Sequence, residues 1–413
     1  MRHQKAIRTL IALIALVASA WGWQYWRQTE SEPAYTMTSL TKDMKTLCIG
    51  RILMDVPAGK TLEPKASWAR IGGANVSSVS GVDRAQFEAL VESRWRALQD
   101  LKTASGKAPL YPPEKFNPRA DSVVFSYGFK RIDGPDAFGV YGSRIFYDAQ
   151  GFQWLDGTLV EFSPQLHGKE EIIDLMGRTR ARGTEEIPNQ PGLCLDGLFI
   201  AGYYAQAHTE STAWLLELPR GLRARVDVTQ VEAPAKSYFE RDRESLVAWA
   251  DFIANAVKPG ETYAGHHYRK GQRDVGGLVG DEEVSGEVEG NEKFGYGTEI
   301  GGLWEYPGDG PAAPAPQIRI TMRTPRLETT YVPTPAGGFP RPEDTPDGPF
   351  AEEFFEIWDA MIGSVRLRPV ALTKVPRVES PASRISPEQA ERDRQRLDAF
   401  IAGLPPEAPE QVP

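Results

Sequence analysis

Apolar and polar positions alternate along most of this chain at the two-residue period of half-buried strands, and shift to a helical period in a few segments. The first strand is expected at Leu47–Val56, stopped by Pro57-Ala58-Gly59. Ser67–Val79 alternates loosely around Gly72-Gly73, which predicts a strand with a bulge. Asp83 then caps a helix whose apolar stripe is Phe87, Leu90, Val91, Trp95, Leu98 and Leu101. Strands follow at Ser122–Phe129, Ala137–Asp148 and Gly151–Phe162, with Ala149-Gln150-Gly151 read as a hairpin turn. Lys169–Arg180 is a second helix, turning Ile172, Leu175 and Met176 inward.

The second half runs in the same order. Strands are expected at Leu195–Ala205, at Ala213–Leu218 and, after a Pro219-Arg220-Gly221 turn, at Ala224–Val231. A helix over Tyr238–Val257 comes next, then strands at Arg273–Val279, Glu283–Val288, Gly297–Tyr306 and Gln317–Arg323. A last helix, Phe350–Val365, aligns Phe354, Ile357, Trp358, Met361 and Val365. Each half opens with a Leu-Cys pair heading a short apolar run, at Leu47-Cys48 and Leu193-Cys194. This internal likeness predicts an α+β protein of two similar domains, each an antiparallel sheet with helices packed on one face. The expected division is a leader at 1–30, a linker at 31–44, domains at 45–188 and 189–368, and a Pro- and charge-rich tail at 369–413, mostly disordered apart from a short helix near 387–401.

The leader changes the picture of where the chain works. Arg2, Lys5 and Arg8 precede the apolar run Leu10–Ala20, and Ala18-Ser19-Ala20 has the small-x-small form of a cleavage site. A cleaved signal and an inner-membrane anchor through residues 6–26 both fit. The run is short of the about 20 residues a span needs, but Trp21, Trp23, Tyr25 and Trp26 suit a membrane interface. Either way the body is expected in the periplasm. The leader's charges sum to +3, so the body carries −12 of a chain total of −9. Such an acidic body argues against nucleic acid as a partner and favours a basic protein surface. The two cysteines, Cys48 and Cys194, are the only ones present. They are expected to form a disulfide closing a loop of 146 residues, worth roughly 5 kcal/mol in the chain-entropy model, with two buried thiols at matching positions as the alternative.

The search for chemistry finds little. No serine lies in Gly-x-Ser-x-Gly, and neither a Walker loop nor a Gly-x-Gly-x-x-Gly turn before a helix is present. His266-His267 would point to opposite sides of a strand, so no metal site or other cofactor is expected. The acidic run Asp281, Glu282, Glu283, Glu287 and Glu289 lacks calcium-loop spacing and reads as a solvated hairpin or as a projection for a basic partner. Trp304, between Gly301-Gly302 and Pro307-Gly308, is the candidate exposed anchor. These features favour a binding protein without catalytic activity. An envelope module for a lipid or glycan remains an alternative, as does a hydrolase built on dispersed carboxylates.

The segment Cys48-Ile49-Gly50-Arg51-Ile52-Leu53-Met54-Asp55-Val56-Pro57, with Leu193-Cys194-Leu195-Asp196-Gly197 in mid-chain, resembles the immunity proteins of type VI secretion lipase effectors. Within them it is similar to the family cognate to the fourth class of those phospholipases, whose members carry amino- and carboxy-terminal immunity domains. The resemblance spans roughly residues 44–367, and the stretch 307–349 has no parallel in it. It implies a periplasmic antagonist of an injected phospholipase, a two-domain clamp that keeps the lipase lid closed. Cys48 and Cys194 carry over as fold markers; no interface residue does.

Overall fold

A computed structural model describes residues 40–58, 61–71, 74–101, 112–135, 141–163, 169–183, 185–202, 210–230, 234–242, 262–291, 295–309, 315–329, 351–369 and 395. The leader, most of the expected linker, residues 243–257 of the third expected helix and nearly all of the tail lie outside them. Among the described residues no helix is long and apolar enough to cross a membrane.

The strands, in chain order, are β1 (Met44–Ile49), β2 (Ile52–Pro57), β3 (Thr61–Ile71), β4 (Ala74–Ser80), β5 (Glu114–Arg119), β6 (Ser122–Pro135), β7 (Tyr141–Leu155), β8 (Thr158–Ser163), β9 (Thr179–Ala181) and β10 (Gly192–Leu195). They continue as β11 (Leu198–Ala201), β12 (Glu210–Glu217), β13 (Arg223–Thr229), β14 (Thr262–Val275), β15 (Leu278–Asn291), β16 (Gly295–Tyr306), β17 (Gln317–Arg323), β18 (Leu327–Thr329) and β19 (Arg366–Leu367). The helices are α1 (Arg84–Gln99), α2 (Lys169–Arg178) and α3 (Ala351–Gly363), with a helical turn at 238–242. The paired strands are antiparallel, as expected of this α+β chain.

The described residues fall into two compact units that interleave in sequence. The described residues of Met1–Leu47, Ile52–Glu63 and Leu215–Leu367 make the first, and those of Cys48–Arg51, Pro64–Trp214 and Arg368–Pro413 the second. The second unit therefore takes up a four-residue piece of the amino-terminal run, and the reason is chemical (below).

In the second unit the strand order is β3-β4-β8-β7-β6-β5. Asp83 accepts a hydrogen bond from the Gln86 amide at 2.8 Å, and the Gln86 side chain accepts one from the Asp83 amide at 2.9 Å. This reciprocal capping box starts α1 where the sequence places it. Phe87, Val91 and Leu98 of α1 pack on Val123, Phe125, Phe152 and Leu159. Ile172, Leu175 and Met176 of α2 pack on Val124, Ala149, Val160 and Phe162, together with Leu193, Leu195, Leu198 and Ile200 of the β10–β11 hairpin. Val123 and Val124 are neighbours on β6 and point to opposite faces. The α1 and α2 helices thus lie on opposite faces of one sheet, where the sequence reading put the helices together on one.

Several turns fall elsewhere than their glycines suggest. Ala149-Gln150-Gly151 is continuous strand; the β7–β8 turn is Asp156-Gly157, both at positive φ, the backbone of a tight two-residue hairpin. Gly151 is small for a different reason: a Cβ there would sit 2.5 Å from Ile172 Cγ2 and closer still to Met176 Cε, so its bareness lets α2 approach the sheet. Ser67–Val79 is not one bulged strand but the β3–β4 hairpin, with Ile71 opposite Ala74. Leu195–Ala205 likewise breaks at Asp196-Gly197, giving β10 and β11.

In the first unit the order is β14-β15-β16-β17-β13, with β18 on the free end of β16. The β14–β15 turn is Gly276-Gly277, inside the run expected as one strand. The α3 helix buries Phe354, Ile357, Trp358 and Met361 as its period predicts. Gly302 of β16 leaves room for it: a Cβ there would lie 3.1 Å from the Trp358 ring and 3.2 Å from Phe354.

Candidate partner-binding surface

Of the residues expected to project toward a partner, Trp304, Asp281 and Glu282 are turned inward. Trp304 is fully buried. It lies on the same face of β16 as Gly302, beneath α3, and its Nε1 donates to the Arg273 carbonyl at 3.4 Å. A Cβ on Gly280 would lie 2.8 Å from the Trp304 ring, so that glycine opens the space the indole fills. Gly280 and Gly302 mark close packing in the sheet, whereas Gly308, at positive φ, follows the end of β16.

Asp281 and Glu282 are also buried, at 3% and 8% exposure, and face opposite sides of β15. Glu282 points under α3. Its Oε1 accepts from Arg273 at 2.6 Å and from Trp358 Nε1 at 2.8 Å, and lies 3.8 Å from Arg269. Asp359 of α3 completes the set, accepting from Arg269 at 2.6 and 2.9 Å and from Arg273 at 2.8 Å. Burial pulls the Arg273 guanidinium down, yet Glu282 and Asp359 together hold it above its ordinary value. The network ties the helix to β14 and β15 by charge.

On the other face Asp281 accepts from the Phe239 amide at 2.9 Å, and the buried Glu305 accepts from Arg241 at 2.6 Å. Glu283 meets His267 at 2.9 Å and Lys270 at 3.4 Å. Burial alone would raise the Glu283 carboxyl, but His267, Lys270 and a hydrogen bond from Tyr238 hold it below the usual carboxylate range. Burial and the Glu283 charge push the Tyr238 phenol well up. These carboxylates anchor the helical turn at 238–242. Glu287 is half-buried, and the Glu289 side chain lies outside the described residues. The acidic run is internal wiring over 281–283, so the expectation of a solvated acidic projection is corrected there.

The signal was available in the strand period. Asp281 and Glu283 share one parity and Glu282 the other, while Arg269, Lys270 and Arg273 stand across the hairpin on β14. Lys270 stands directly opposite Glu283, and Arg269 and Arg273 lie on the two diagonals from Glu282, within reach of long side chains.

In the second unit the expected disulfide is surrounded by buried arginines that the sequence reading did not reveal. Cys48 and Cys194 are bonded, with Cα atoms 5.7 Å apart. Beside them Gly50 and Cys194 exchange two backbone hydrogen bonds of 2.9 Å. Arg51, 1% exposed, donates from Nε and Nη2 to the two Glu210 oxygens at 2.5 and 2.7 Å. Arg368 is equally buried and donates to the carbonyls of Pro188 and Gln190, each at 2.8 Å, and to that of Gly192. Burial, with Arg51 and Arg182 nearby, pulls the Arg368 guanidinium down to about 10. Arg182 binds the carbonyls of Leu195 and Glu186 at 2.9 and 2.8 Å. The arginines thus satisfy loop carbonyls around the disulfide, and Arg51, the charged residue inside an apolar run, was the clue to them.

Outwardly, the second unit offers a groove of about 520 Å³ between α1 and β5–β6. Phe87 and Val91 form its apolar floor; Arg84, Glu88, Lys115 and Arg119 form its charged walls. Arg84 pairs with Glu88 at 2.7 Å. Among the described residues no group of three or more His, Cys, Asp or Glu is placed to hold a metal ion.

Comparison with known proteins bears on these features. The sequence profile of the Tle cognate immunity protein 4 C-terminal domain matches residues 186–370. No curated protein matches the chain. A chain in the crystal structure of the Tle4–Tli4 complex is 19% identical, with a TM-score of 0.54, over 80% of this chain and 99% of that one. The immunity protein TplEi of the type VI secretion system from Pseudomonas aeruginosa, complexed with an "L" peptide, is 20% identical, with a TM-score of 0.50, over 79% of this chain and 98% of its own. Its apo form is 20% identical at a TM-score of 0.51, over 79% and 97%. The region that matches this family's profile, residues 186–370, holds Cys194, the β10–β11 hairpin, the ion network under α3 and α3 itself.

Proposed function

We propose that this chain is an immunity protein that binds a cognate type VI secreted phospholipase in the periplasm and holds it inactive. The observation that carries the reading is the family match over residues 186–370. The leader with its basic n-region and apolar run supports export.

The proposed mechanism is a clamp. A lipase that acts on membranes must open its lid, and a binder that prefers the closed form shifts that equilibrium by its differential affinity. Moving a lid from mostly open to mostly closed takes a preference of about 5 kcal/mol. Two binding surfaces on one chain reach this more readily, because the first contact raises the effective concentration of the second. The work is done by surface complementarity and needs no catalytic group.

The test is co-expression with a phospholipase encoded beside the gene. The full chain should relieve periplasmic toxicity, and the purified chain should inhibit lipase turnover at a one-to-one ratio. Deleting residues 1–30 should abolish protection while leaving binding in vitro intact. Undiminished lipase activity in the presence of excess chain would refute the proposal.

A further inference from the structure

The disulfide lies in the short piece 48–51 of the second unit. This short piece is held in the second unit by the Cys48–Cys194 bond, by the paired Gly50–Cys194 backbone hydrogen bonds and by the buried Arg51–Glu210 pair. Without the covalent link, the buried charge pair has to be assembled across 159 residues of chain separation by non-covalent forces alone. Both sulfurs are buried, Cys48 at 1% and Cys194 at 0% exposure.

We propose that this disulfide is a one-way maturation lock: the chain becomes binding-competent when it is oxidised during folding outside the cytoplasm, and the folded protein then shields the bond from reduction. The chemistry balances through thiol–disulfide exchange. The two thiols give up two protons and two electrons to an oxidised dithiol carrier, which leaves as its reduced dithiol. The reverse step needs a thiolate to reach a sulfur in line with the S–S bond, and burial denies that approach until the unit opens. The feature is therefore a commitment step and not a reversible sensor. The competence it confers rests on the binding function proposed above; the locking itself does not.

Two measurements on the full chain test it. The first follows reduction by dithiothreitol with a thiol-reactive mass tag, with and without denaturant. Native protein should lose its disulfide about a hundredfold more slowly or better, at a rate set by opening. Equal rates in the two conditions would overturn the shielding. The second compares oxidised wild type with the double variant Cys48→Ser/Cys194→Ser. The folded-to-unfolded ratio should fall by about 5,000-fold, the loop-closure effect of so long a loop, and affinity for the effector should fall with it. A double variant with an unchanged denaturation midpoint and unchanged affinity would overturn the lock. If oxidised wild type binds no co-encoded phospholipase, the functional reading falls, while the reduction rates and midpoints, which need no partner, still judge the lock.

Discussion

Replacing Glu282 by alanine removes the central acceptor of the network under α3, and the cost can be worked from its partners. The carboxylate accepts from Arg273 at 2.6 Å and from the Trp358 indole at 2.8 Å, with Arg269 at 3.8 Å. Truncating one member of a buried ion pair costs about 3–5 kcal/mol, because the remaining charge is stranded. Here Asp359 still holds both arginines, and their side chains keep 16% and 21% exposure. The expected loss is therefore at the lower end, about 3 kcal/mol, or a midpoint drop of about 6–12 °C for a unit of this size. Glu282→Gln keeps an acceptor for Trp358 but not the charge, and should cost about half as much. Adding Asp359→Ala to Glu282→Ala should cost more than the sum of the single changes, since neither carboxylate is then left for Arg269 and Arg273. Thermal and denaturant unfolding of wild type, Glu282→Ala, Glu282→Gln, Asp359→Ala and the double variant, with Glu287→Gln as a control within about 0.5 kcal/mol of wild type, decides the matter. A Glu282→Ala cost below about 1 kcal/mol, or strict additivity with Asp359→Ala, would refute the network reasoning.

Three further outcomes are expected. Glu283 has its folded-state carboxyl held below the reference of 4.5, so its contribution is fully present above that value and is lost as pH falls through the depressed one. Unfolding midpoints measured from neutral pH downward should therefore fall more steeply in acid for wild type than for Glu283→Gln. Gly151→Val should lower stability by about 1–3 kcal/mol through overpacking against Ile172 and Met176, read by denaturant titration. Asp83→Ala removes the capping box of α1 and should cost about 1 kcal/mol, with the loss seen first as faster amide exchange at the start of that helix.

The helices were legible because their signals are local. Asp83 and Gln86 announce a start, and the stripes of α2 and α3 match their buried residues. The turns were less so. A glycine looks the same in sequence whether it serves a left-handed turn, as Gly157 does, or a close approach, as Gly151 and Gly302 do. The Cys48–Cys194 disulfide was legible because an exported chain with only two cysteines favours pairing them. The acidic run misled because charge density was read along the chain, whereas its neutralising partners lie across the hairpin and on α3. Trp304 misled for a related reason: Gly302 beside it looked like part of a loop, when its bareness makes room for the rings of Phe354 and Trp358.

The sheet of the second unit, covered by α1 on one side and α2 on the other, has lost the usual safeguard against mispairing. Where one face meets water, sliding a strand by one position exposes its apolar side chains. On β6 the run Val123-Val124-Phe125 has apolar neighbours whichever way it points. Correct alignment must then come from bulk: Phe125 and Phe152 fit only the α1 side, and the Ala149 and Gly151 positions only the tight α2 side. Enlarging a small residue on β7 would therefore blur which strand positions face each other before it unfolds anything.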